Sequence, residues 1–207
     1  MTNLNQAIKQ RRSIRKYTPQ PVPQKTVLEV IGAAGWAPSA HNSQPWRFIV
    51  LQDPKVKRKL AERMAEAWAA DLKKDGATAE EEKRVERREK FASAPALILA
   101  CLTMEGLRKF PDAERQRCER DLAVESLGAG LQNLLLAAHA AGLGACWFCA
   151  PAFCKELVRE MLKIPQEVEP LALIVMGYSA EEPAAPSRKA LKDFCHIDEW
   201  GKYSTMT

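Results

Sequence analysis

The chain has 207 residues, 46% of them hydrophobic and 28% charged, which suits one globular domain with a real core and no need of disulfide staples. Its net charge of +5 is spread over interspersed acidic and basic residues, which argues against a nucleic-acid surface, where basic residues gather into a stripe. The opening Met-Thr-Asn-Leu-Asn-Gln has no basic region leading into an apolar run, so no secretory signal is visible and a cytoplasmic setting with reduced thiols is expected.

In chain order, Leu4, Ala7, Ile8 and Arg11 fall at helical spacing, predicting a first helix over Asn3–Arg11. The chain then breaks away through Arg11–Tyr17 toward Pro19, Pro21 and Pro23. Pro23 is suited to open a second helix whose apolar face is Val27, Val30, Ile31 and Ala34. Trp36–Pro45 reads as a loop and Trp46–Leu51 as a strand. Asp53-Pro54 starts a helix with Leu60, Met64, Ala67 and Trp68 on one face, and Asp75-Gly76 turns the chain. Ala79–Ala92 is dense in alternating charge, from Glu80 to Lys90, as expected of a solvated helix.

Ala96–Thr103 is nearly all apolar, the pattern of a strand buried on both faces. Glu119–Ala141 reads as a long helix rich in small residues, closed by Gly142-Leu143-Gly144. Gln132, Asn133 and His139 interrupt the apolar stretch from Leu127 to Ala150, so it is expected to be a buried helix and a strand and not a membrane span. A strand over Cys146–Cys149, a helix over Pro151–Leu162 opened by proline, and a last core strand over Leu171–Tyr178 complete the pattern. The tail from Ser179 to Thr207 is too long for an ordinary loop in a compact domain and is expected to wrap over something, such as a partner subunit. The order predicts a four-stranded sheet flanked by helices, in one domain spanning 1–207.

Three stretches are candidates for chemistry. In an extended segment Arg11, Ser13 and Arg15 share one side and offer two guanidiniums and a hydroxyl to a phosphate monoester; the same residues also suit a basic helix end complementing its dipole. Pro38-Ser-Ala-His-Asn42-Ser-Gln-Pro-Trp46 is a polar loop entering an apolar strand, and reads either as donors and acceptors for a heterocycle edge or as a turn capping itself. Gly142-Leu-Gly144 follows a helix and leads into a strand, the reverse of a dinucleotide fingerprint. Six cysteines include the pair Cys146 and Cys149, but residues three apart on a strand point to opposite faces, so the two sulfurs are not expected to meet. His41, His139 and His196 lack metal-ligand spacing, and no nucleophile motif occurs. A redox cofactor can then carry the chemistry itself.

Taken in order, Arg11-Arg-Ser-Ile-Arg15, Asn42-Ser-Gln-Pro-Trp-Arg-Phe48, Gly142-Leu-Gly144 before a strand and Ser187-Arg-Lys189 in the tail resemble the nitroreductase family over nearly the whole chain. The resemblance implies an α+β nitroreductase-like fold with a central mixed sheet flanked by helices and a C-terminal tail extending onto the partner subunit. It implies a homodimer holding FMN at the subunit interface, with NAD(P)H as reductant and a small-molecule electron acceptor. Arg11, Arg12, Ser13 and Arg15 would surround the ribityl chain and phosphate, joined there by Arg188 and Lys189. Pro38, Ser39 and Asn42 would reach the flavin from the other subunit, and Trp147–Ala150, with Cys149 and Ala150, would lie near the reactive edge. Well-known enteric nitroreductases carry Glu-Gly where this chain has Cys149-Ala150.

Within the family, Arg63-Met-Ala-Glu-Ala-Trp68, Asp71-Leu-Lys-Lys-Asp-Gly76, Phe110-Pro-Asp112, Gly142-Leu-Gly-Ala-Cys-Trp147 and Glu169-Pro-Leu-Ala-Leu-Ile174 resemble the flavin domain associated with the glutamate ligase of deazaflavin coenzyme biosynthesis. The functional expectation is ping-pong reduction of a nitro, quinone or flavin-like acceptor. The alternatives are reduction of a dehydro-deazaflavin precursor and a non-catalytic flavin-binding protein.

Overall fold

The computed structural model describes residues 3–77 and 81–203. Its elements run α1 (Leu4–Gln10), α2 (Gln24–Ala34), β1 (Trp46–Leu51), α3 (Pro54–Lys74), α4 (Glu81–Ala92), β2 (Ala96–Thr103), α5 (Ala113–Ala140), β3 (Gly144–Phe148), α6 (Lys155–Leu162) and β4 (Val168–Gly177). The strands lie in the order β1-β2-β4-β3. β2 is buried along its whole length and separates two cores. Ile98, Ala100 and Leu102 face Val27, Val30 and Ala34 of α2 and Leu127, Leu131 and Leu134 of α5. Leu97, Leu99 and Cys101 face Leu60 and Met64 of α3, Phe91 of α4 and Val158 of α6.

The sheet is antiparallel at all three strand pairings, where a mixed sheet is expected from the sequence. The helical hairpin explains this. The start of α3 meets the end of α4 through Arg58 and Glu89, 3.2 Å apart, so the two helices run antiparallel, the path β1-α3-α4-β2 reverses three times, and β2 returns antiparallel to β1. The single crossover α5 leaves β3 running with β2, and β4 then inserts between them. The one parallel element among the described residues is an isolated bridge between Ser13 and Ala145.

α5 begins at Ala113, six residues before the expected start, because Asp112 accepts a hydrogen bond from the Arg115 N–H and caps it. Its first turns are too charged to display an apolar stripe. Pro151 does not open an α-helix. Ala150–Phe153 is a 3₁₀ turn, and α6 begins at Lys155. Cys149 falls just outside β3. β4 starts at Val168, ahead of the expected Leu171, because its ladder shifts register where Cys101 faces Pro170; a bulge accommodates the missing proline N–H. The expected start of the charged helix at Ala79 lies outside the described residues, as do residues 204–207 of the tail.

The segment that matters most for function is held by glycine. Gly142, at φ 76°, ends α5, and the Leu143 and Gly142 N–H groups return to the Ala138 and His139 carbonyls, closing the helix as a Schellman motif. Two residues on, a Cβ at Gly144 would lie 2.6 Å from Ile14 Cγ1. The bare Cα therefore lets the turn after α1 lie against β3, where the Ile14 N–H donates to the Ala145 carbonyl at 3.0 Å.

Candidate active site

The turn after α1 alternates as an extended strand should. Ile14 is buried, and Arg11, Ser13 and Arg15 stand on the other side. Tyr17 latches the turn by donating to the Ile14 and Val175 carbonyls, and burial pushes its phenol well above its ordinary pKa. Beneath this ridge lies the buried Cys146 thiol, which burial pushes up despite the opposing influence of Arg15, the Ser13 hydroxyl bond and Arg11. The Arg11 Nε is buried without a hydrogen-bond partner. A buried guanidinium donor left unpaired is costly, and an anionic oxygen is the kind of acceptor that would satisfy it.

Arg12 is placed differently. Its Nη1 donates to the Lys9 carbonyl at 2.7 Å and the Arg11 carbonyl at 3.0 Å, so it serves the end of α1. A groove of about 500 Å³ runs beside the ridge, walled by Arg11, Arg12, Leu135, His139, Gly142–Ala145 and the root of the tail. Glu181 on that wall is engaged by the backbone N–H groups of Arg15 and Lys16 and ties the tail to the turn. Arg188 and Lys189 are exposed on the tail. Among the described residues neither makes a side-chain hydrogen bond or ion pair to the ridge.

Pro38, Ser39 and Asn42 form a separate group. They lie on the α2–β1 loop, docked on the first half of α5 where the Ala40 N–H donates to Ser126 Oγ at 3.1 Å. The groove touches the same helix at Leu135 and His139. Nine residues of helix separate Ser126 from Leu135, roughly 14 Å at 1.5 Å per residue, so within one protomer the loop and the ridge stand apart.

Cys149 and Ala150 follow the exposed end of β3. Cys149, just past the end of β3, is exposed while Cys146 is buried, and both are free thiols. Ala150 lines a cavity of about 280 Å³ roofed by the α3–α4 hairpin, with Met64, Trp68, Leu72, Phe91 and Phe153. Arg87 stacks on Trp68 at 4.7 Å, and Asp71 stands at the same wall. Sequence reasoning assigned α4 to solvent and missed this inward arginine; an aromatic on α3 opposite a helix of alternating charge was the available signal. It also missed Glu119, a buried acid on α5. Glu119 is in phase with Ala123, Leu127, Gly130, Leu131 and Leu134, and a charge on an apolar stripe is itself the signal.

A sheet covered on both faces, with a groove at its β3 edge lined by Arg11 and Arg12 and by Glu181 and Glu182, defines an α+β protein with a candidate site at the margin of its sheet. The chain matches the nitroreductase family model over residues 8–178. It is 31% identical over 198 residues to the Methanothermobacter thermautotrophicus protein named "Putative NADH dehydrogenase/NAD(P)H nitroreductase", covering 94% of this chain and 86% of that one. Its fold is similar to a BluB-like flavoprotein of Clostridium difficile 630, with TM-score 0.79 at 24% identity, covering 96% of this chain and all of that one (100%). It is also similar to an FMN-dependent nitroreductase of Clostridium difficile R20291, with TM-score 0.71 at 23% identity, covering 95% of this chain and 100% of that one. The chain belongs to the nitroreductase family, and the class of its activity is that of an oxidoreductase. Among the described residues no helix is long and apolar enough to cross a membrane.

Proposed function

We propose that the protein is an FMN-dependent NAD(P)H oxidoreductase that reduces a small organic acceptor as a homodimer. The observation that carries this reading is the unpaired Arg11 Nε on a ridge shared with Ser13 and Arg15. That donor set fits a phosphate monoester. Arg11 and Arg15 would grip the phosphate and Ser13 the ribityl chain, with Arg188 and Lys189 brought over them by the tail. The spine of Arg12 supports α1 and would assist only at the rim.

When bound, FMN supplies hydride transfer between NAD(P)H and the acceptor. The chain's own residues bind and orient. Cys149 and Ala150 would border the ring edge through their backbone. The apolar cavity beyond Ala150 would take the body of a planar acceptor, with Trp68 offering a ring face and Arg87 a cation. One pocket serving donor and acceptor in turn gives ping-pong kinetics.

Two features support a second copy. Pro38, Ser39 and Asn42 stand too far from the ridge of their own protomer to share one ring. The tail exposes Leu191, Phe194, Ile197, Trp200 and Tyr203, an apolar set that suits burial against another chain. The test is an absorption spectrum of the purified protein with and without added FMN. Anaerobic titration with NADH and NADPH follows, against nitroaromatic, quinone and dehydro-deazaflavin acceptors. Yellow protein bleached by the nicotinamide and recoloured by one acceptor class is expected. Protein that stays colourless in FMN would end the reading, and bound flavin that neither nicotinamide reduces would turn it into a binding protein.

A further inference from the structure

The loop from Ser39 to Gln44 holds three non-glycine residues in the left-handed region: His41 at φ 55°, Asn42 at 52° and Gln44 at 46°. Side chains disfavour that conformation, and such residues persist only where the surroundings overdetermine them. Here the surroundings are specific. Glu119 on α5 is only 5% exposed. One of its oxygens faces His41 Nε2 at 3.4 Å, and the other accepts the Arg108 backbone N–H at 3.3 Å.

The same loop is tied at its other points. The Ala40 N–H donates to Ser126 Oγ, whose own proton goes to the Leu122 carbonyl at 2.7 Å. The Gln44 N–H donates to Ser39 Oγ at 3.1 Å. Gly106, at φ 77°, brings the turn after β2 against Ser43, with 3.4 Å between a built Cβ and that side chain. The loop is thus wedged between α5 and the 104–108 turn; Glu119 bonds to both loop and turn from the buried side, and Arg47 does so from the exposed side through the Gln44 carbonyl and Glu105.

A buried carboxylate is expensive unless each oxygen is used, and a strained loop is expensive unless its shape is needed. Both costs fall on the loop that carries Pro38, Ser39 and Asn42. We infer that Glu119 and His41 are positioning residues that clamp this loop in the shape that meets the flavin of the second protomer. The inference rests on the proposed flavin function. It gives the acid and the histidine a role that touches neither cofactor nor substrate.

The clamp predicts that stability and flavin affinity separate. His41→Gly removes the contact to Glu119 and also relieves the left-handed strain. Relief of strain and the Glu119 oxygen left without its partner act on stability in opposite directions, so the apoprotein should stay folded, while the FMN dissociation constant, read by quenching of flavin fluorescence, rises at least tenfold. A purely structural contact predicts a lower melting temperature with affinity intact, and that result overturns the clamp. Glu119→Gln keeps the length, an acceptor for the Arg108 N–H and an amide donor for His41, and should bind FMN within threefold of wild type. A tenfold loss in a folded Glu119→Gln protein would also overturn it. Wild-type apoprotein that takes up no FMN overturns the flavin function and the clamp together. Wild-type uptake with unchanged His41→Gly affinity overturns the clamp alone.

Discussion

β2 and the C-terminal tail are built from similar apolar residues and meet opposite fates. Leu97, Ile98 and Leu99 have no exposure at all, whereas Trp200 is 90% exposed and Phe194 62%. The strand sits between two cores supplied by its own chain. Beyond its root, tied to the turn at Glu181, the described aromatic end of the tail packs on itself, with His196 stacked on Trp200 at 4.4 Å and near Tyr203 at 5.2 Å. The difference fits the proposed dimer, in which one chain finishes the fold and two chains would finish the binding site. The residues that make a stable domain find their partners within the protomer. Those proposed to close over a flavin lie on the exposed tail and in the loop before β1, which docks at Ser126 and not at the groove.

The contrast is broken most forcefully at the strand. Leu99→Ala opens a cavity between α3 and α6 and should cost about 3–5 kcal/mol of folding free energy. The urea midpoint should fall by an amount that does not depend on protein concentration. A concentration-dependent loss would mean that this core also relies on a second chain. Trp200→Ala is the counterpart in the tail. The urea midpoint of the dilute monomer should stay within about 0.5 kcal/mol, as for an exposed position. The dimer dissociation constant should rise on the order of 100-fold, about 2.7 kcal/mol, in sedimentation equilibrium. A fully monomeric wild type, or an unaffected dimer, would remove the tail from the interface.

The same contrast governs what was legible in the sequence. β1 and β2 match their expected ranges of Trp46–Leu51 and Ala96–Thr103 residue for residue, because apolar runs opened by Pro45 and Pro95 and closed by Asp53-Pro54 and Glu105-Gly106 state burial and limits together. β4 was misjudged at Pro170 because a bulge is a property of pairing, which one strand does not display. The antiparallel sheet was hidden because strand direction depends on how α3 and α4 pack, not on their order. At the site, Arg11, Ser13 and Arg15 were legible because alternation alone groups them. Arg12 was not, since its competing role at the end of α1 is settled by rotamer and distance. Glu119 was visible only as a charge in an apolar phase, and its use depends on a loop 78 residues away.

Gly144→Ala probes the seam between the rigid sheet and the binding ridge. The added Cβ would meet three atoms of the buried Ile14 at 2.6–2.8 Å, and Ile14 is β-branched and has little freedom to move. Overpacking of this kind costs about 1–3 kcal/mol. The turn should lift from β3, separating Arg11 and Arg15 from Cys146 and weakening FMN binding more than stability. Equal FMN affinity in a protein of reduced stability would show that the ridge does not depend on its seat against β3.

The smallest effect is expected at Glu169, which joins α5, α6 and β4. Its carboxylate accepts from Arg120 at 2.8 Å and from Lys155. Burial pushes its pKa up, but the Lys155 and Arg120 hydrogen bonds and charges outweigh it and hold the carboxyl below its ordinary value. A lowered pKa in the folded state means that the stabilisation is complete above the unfolded value of about 4.3. It is lost as pH falls through the lower folded value. All three side chains keep some exposure, so solvent screening limits the contribution to about 1 kcal/mol. Glu169→Gln should therefore lower the urea midpoint slightly at pH 7, and the gap to wild type should narrow from about pH 5 downward. A gap that stayed constant with pH would assign the loss to packing and not to charge. A matching loss of dimer would make this staple part of the two-chain half of the molecule.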